Sequence, residues 1–167
     1  MRRPTRLSAA ALVVLAVAAT GTGFALTGCS SPAGASTDGT PASPARIAVT
    51  GGYIPRPLLK DTAAAFFTVT DSGGTAARLT SVSTPLAAHA TLDTTTGTTM
   101  NQVPSLTVPA HGRLTLATGG DHVMLENLVR LPAVGDKVAL TLHFTGATPA
   151  TVTITVPVRP TTYTPGS

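Results

Sequence analysis

The chain has 167 residues, 11 of them basic and 7 acidic, with four histidines, one cysteine and no tryptophan. Three basic residues precede position 29 and every acidic residue follows it, so the remainder carries eight basic against seven acidic side chains, a net charge of +1 without any Lys/Arg cluster. Nucleic acid is not implied as a partner, and a lone cysteine excludes an internal disulfide and a CxxC pair.

The first 28 residues read as a secretory signal: Arg2, Arg3 and Arg6 form a positive start, and residues 7–26 are almost uninterruptedly apolar or small. The tetrapeptide Leu26-Thr27-Gly28-Cys29 resembles the lipobox of bacterial lipoproteins, in which the cysteine is lipidated and becomes the new N-terminus. Cys29 is therefore the expected anchor, holding the protein on the extracytoplasmic side of the cell membrane. Lipidation would also leave no thiol for catalysis or metal binding. Residues 29–45, rich in Ser, Pro, Gly and Ala, read as a flexible linker between lipid and domain.

Residues 46–158 are expected to form one domain, long enough for a single core. Strands are expected at 65–70 (AFFTVT), at 78–83, where the separation of Leu79 from Val82 blurs the register, and at 86–92, which carries His89. A Thr-rich stretch, Thr94 to Thr99, then leads to Met100 and reads as a polar loop. Runs at 105–108 and 113–116 flank Pro109-Ala-His-Gly112, which reads as a hairpin turn, and strands follow at 122–125, 137–145 and 151–158. Many short strands with turns every ten or so residues predict an all-β sandwich or barrel. Residues 159–167 read as a flexible tail.

Parity singles out the polar face of the strand at 122–125. Val123 and Leu125 have the character of core residues, which puts His122 and Met124 together on the opposite face, about 6.6 Å apart at 3.3 Å of rise per residue. A methionine packed for bulk would sit with the valine and leucine. Met100 has no apolar strip beside it, and these two are the only methionines after the initiator. With His89 they form the array His-x10-Met-x21-His-x-Met, in which His89, Met100, His122 and Met124 are candidate metal ligands. Two imidazoles and two thioethers without a thiolate suit Cu(I). A blue-copper electron carrier needs a cysteine and is excluded. His111, in the turn, and His143, alternating with Leu140, Leu142 and Phe144, have the contexts of ordinary surface histidines. No G-x-S-x-G, H-E-x-x-H or phosphate-loop motif is present, so the protein is not expected to be an enzyme.

The array, within GGDHVMLENL and after TAAAFFTVTDSGG, resembles the periplasmic copper chaperone family PCuAC over residues 53–158. The resemblance implies a cupredoxin-like Greek-key β-sandwich that binds one Cu(I) per chain through His89, Met100, His122 and Met124. It also implies delivery to copper centres of respiratory cytochrome oxidase, with an oxidase subunit or assembly factor as partner. The chain departs from the family twice. Ala90 stands where many members have a second methionine, and residues 159–167 contain no histidine or methionine for a further copper site. Other readings are a copper sequestering or supply protein with another recipient, and a surface-tethered β-sandwich interaction module without metal.

Overall fold

The computed structural model describes residues 42–165; the expected signal, Cys29 and most of the expected linker lie outside them. The described chain is built from eleven strands: β1 (Ala45–Pro55), β2 (Thr62–Asp71), β3 (Ala77–Ser83), β4 (Ala87–Thr96), β5 (Thr99–Val103), β6 (Leu106–Val108), β7 (Arg113–Thr115), β8 (His122–Leu128), β9 (Lys137–Thr145), β10 (Ala147–Thr148) and β11 (Thr151–Arg159). Their hydrogen-bonded order is β5-β4-β8-β2-β1-β11-β9-β3-β6, with β7 also on β2 and β10 on β1. Where β1 meets β11 the pairing is parallel and only two residues long, Ile54 with Val158 and Pro55 with Arg159. The path folds there into two halves. Phe67 and Val69 from β2, Leu92 from β4 and Val123 and Leu125 from β8 share one buried cluster with Leu79, Leu140, Leu142 and Val156 from the other half. The expected all-β sandwich is therefore the architecture observed, and successive strands cross between its halves as in a Greek key.

Three local readings change. Residues 45–55 form a full strand that the Gly51-Gly52 pair hides, because the pair bends the strand at a register break between Thr50 and Tyr53. Gly51 is left-handed there, with φ 66°. A Cβ on Gly52 would lie 2.4 Å from the Val156 side chain, so this strand can approach β11 only through a glycine. Met100 lies on β5, paired with Thr95 of β4, not in a loop. β6 and β7 do not pair with each other: β6 joins β3 and β7 joins β2, so Pro109-Ala-His-Gly112 is a crossover between the halves. The blurred register at residues 78–83 is a bulge between Leu79 and Ser81, which sends both Leu79 and Val82 into the core.

Candidate metal centre

β8 alternates as its sequence predicts. Val123 and Leu125 are fully buried in the core, while Met124 is half-buried and Glu126 exposed on the outer face. At Asn127 the backbone turns left-handed, with φ 54°, and Leu128 swings back against the core. His122 shares the outer face with Met124 but is only 6% exposed. Phe66, on the outward side of β2, covers it with ring centroids 6.4 Å apart. Its Nδ1 lies 3.0 Å from the Gly120 carbonyl oxygen. A carbonyl can only accept, so Nδ1–H donates, which leaves Nε2 as the ring nitrogen able to serve as a ligand.

Cross-strand register places the other donors. β4 lies between β8 and β5, and its outward residues are His89, Thr91, Asp93 and Thr95, opposite in phase to the core residues Ala90 and Leu92. His89 pairs with Glu126, Thr91 with Met124 and Asp93 with His122. His89 is thus the diagonal neighbour of Met124, roughly 7–8 Å away by sheet geometry. On the other side of β4, Asp93 pairs with Gln102 and Thr95 with Met100. All four candidate ligands occupy one face of three adjacent strands. They do not meet at one point: His89, Met124 and His122 form a continuous band, whereas Met100, 62% exposed, stands beyond its end. Six residues of register separate the His89 and Met100 rows, about 20 Å at the usual rise. At that spacing His89 and Met100 do not converge on one point in this arrangement of the strands.

Beside the band lies an open groove of about 470 Å³, lined by Pro57, Leu58, Leu59, Ala64, Phe66 and the half-buried Met124 among others. Its lining is mainly apolar, and its polar side chains, Arg56, Thr62, Thr118 and Thr161, offer no soft donor beside the Met124 sulfur. Among the described residues no group of three or more His, Cys, Asp or Glu side chains is arranged to hold a metal. The candidate donors that share the outer face are imidazoles and thioethers. His111 lies in the crossover turn, and His143 sits on β9 with Nδ1 3.4 Å from Thr151 Oγ1. Neither belongs to the band. Sequence parity did not find Phe66, whose partner lies 56 positions downstream, or the Thr91–Asp93 pair, in which Thr91 Oγ1 donates to Asp93 Oδ2 at 2.7 Å.

The LpqE-like family model matches residues 47–158. No curated protein matches the chain. Among solved structures it is similar to the copper-bound PCuAC domain from PmoF2, at 24% identity and a TM-score of 0.61, over 68% of this chain and 92% of that one. It is also similar to Cu(I)-bound DR1885 from Deinococcus radiodurans, at 35% identity and a TM-score of 0.56, over 75% of this chain and 85% of that one. The apo form of DR1885 gives 34% identity and a TM-score of 0.52, over 86% and 97% of the two chains. The first likeness carries the cupredoxin-like fold alone.

Proposed function

The chain belongs to the LpqE-like family, of PCuAC type, and on that footing we propose that it is an extracytoplasmic Cu(I)-binding metallochaperone that delivers copper to respiratory cytochrome oxidase. One Cu(I) is bound per chain by His89, Met100, His122 and Met124, with Met100 joining the other three as the exposed β4–β5 hairpin closes. Lipidated Cys29 holds the domain at the membrane through the linker. The observation that carries the reading is the outward face of β8, where a half-buried thioether and a covered imidazole with a fixed tautomer stand two residues apart. Support among relatives comes from a Cu(I)-bound protein 35% identical to this chain.

The chemistry fits transfer. Thioethers are neutral and soft, so they favour Cu(I) over zinc or magnesium. Without a thiolate the ion is held less tenaciously and can leave by ligand exchange. Titration of the purified protein with Cu(I) against a chromophoric competitor should show one tight equivalent. Met100→Ala and Met124→Ala should lose it, and His111→Ala and His143→Ala should keep it. If His111→Ala and Met124→Ala behave alike, the band is not the site. Delivery is tested separately by loading the protein with Cu(I) and following metal transfer to the soluble copper domain of an oxidase subunit; no transfer would remove that recipient.

A further inference from the structure

β4 is the middle strand of the three that carry the donors, with His122 and Met124 on β8 to one side and Met100 on β5 to the other. An ion held from both sides must stand over the outward residues of β4. Between the His89 and Met100 rows those are Thr91 and Asp93, of which only Asp93 is charged. Asp93 occupies the row of His122 and Gln102, two residues short of Met100. It is half-buried, and its carboxylate is held by Thr91, itself in the row of Met124. The other carboxylate on this face, Glu126 of β8, is exposed in the His89 row, four residues of register from Asp93 and farther from Met100.

From this placement we propose that Asp93 is the counter-charge of the bound copper, a positioning residue that acts on the ion through space and tunes its oxidation state. The inference rests on the copper reading above. Two imidazoles and two thioethers are all neutral, so a Cu(I) complex keeps its full positive charge and a Cu(II) complex twice that. A fixed carboxylate beneath the ion stabilises both, and the Coulomb term doubles with the ion's charge. Asp93 thus favours Cu(II) relative to what four neutral soft donors would do alone. Thr91 keeps the carboxylate oriented between the two donor strands instead of free in solvent.

The test measures Cu(I) and Cu(II) affinities and the midpoint potential in the full protein carrying Asp93→Asn. Asp93→Glu serves as the conservative variant, and Asp61→Asn as the loss of an exposed charge elsewhere. Asp93→Asn should weaken Cu(I) by roughly tenfold and Cu(II) by roughly a hundredfold. The tenfold difference corresponds to a potential about 59 mV higher for one electron. Asp93→Glu should recover most of both, and Asp61→Asn should match the wild type. Equal losses for the two ions with an unmoved potential would reduce Asp93 to a structural role, and unchanged affinities would overturn the proposal outright. A wild-type protein that takes up no Cu(I) would instead remove the copper reading and this inference with it.

Discussion

Met100 and Met124 are the same side chain in opposite surroundings, and the contrast separates a ligand's role from a packing role. Met100 is 62% exposed on an edge strand, whereas Met124 is half-buried against the groove. Replacing Met100 with alanine should change stability by no more than about 0.5 kcal/mol, the usual range for a surface change. Met124→Ala should cost roughly 1–2 kcal/mol, less than a fully buried methionine would. Urea unfolding of the apo variants measures both. A Met100 variant that keeps wild-type stability yet loses copper excludes unfolding as the cause; one destabilised as much as the Met124 variant would sink the assignment. The outward parity of His122 and Met124 was legible because Val123 and Leu125 mark the inner face locally. The burial of His122 was not, since it depends on Phe66 from β2.

The strands that escaped the sequence have a common cause, in that little of their stability is local. β5, Thr-Met-Asn-Gln-Val, has only Val103 turned toward the core and is held by its ladder to β4. β1 alternates well at first, but Gly51-Gly52 interrupts the pattern, and only the fit against β2 and β11 makes the bent strand one element. Its start depends on a buried carboxylate. Asp71, 3% exposed at the end of β2, accepts the Arg46 and Gly73 amides through Oδ1 at 2.8 and 2.7 Å, while Oδ2 is buried with no partner. Removing one partner from buried donors costs about 1–3 kcal/mol, and Asp71→Ala should lose that much by strand-matched urea unfolding. Asp71→Asn keeps an acceptor oxygen and replaces the unpartnered one with an amide, so it should stay nearer the wild type. An asparagine variant as weak as the alanine one would show that charge, not the two amide bonds, secures β1.

At the scale of the whole molecule, the fold extends beyond the 46–158 boundaries read from composition. Ala45 is fully buried in β1, and Ser43 accepts from the Gly74 amide, through its carbonyl at 3.0 Å and its hydroxyl at 2.9 Å, and from Thr75 Oγ1 at 3.0 Å. Gly73 packs against Pro44 so closely that a Cβ there would lie 2.0 Å from the Pro44 carbonyl oxygen. At the other end the chain turns back after β11. Tyr163 packs edge-on against Tyr53, centroids 4.9 Å apart, and the Arg159 guanidinium lies 5.1 Å from the Tyr163 ring. Composition hid both ends because Ser, Pro and Thr suggest solvent when their partners lie far away in the chain. A fragment limited to residues 46–158 would lose an aromatic pair of about 0.5–1.5 kcal/mol, a cation–π contact of about 0.5–1 kcal/mol and the Ser43 bonds, each about 0.5–1.5 kcal/mol. Together these predict a loss of roughly 3 kcal/mol, a fall in Tm on the order of 10 °C relative to residues 42–165. Tyr53 also stacks on Phe66, 5.3 Å away, which in turn covers His122. The trimmed fragment should therefore hold Cu(I) more weakly as well as melt earlier. If it melts earlier but binds with unchanged affinity, the aromatic chain from Tyr163 to His122 carries stability and not ligand orientation.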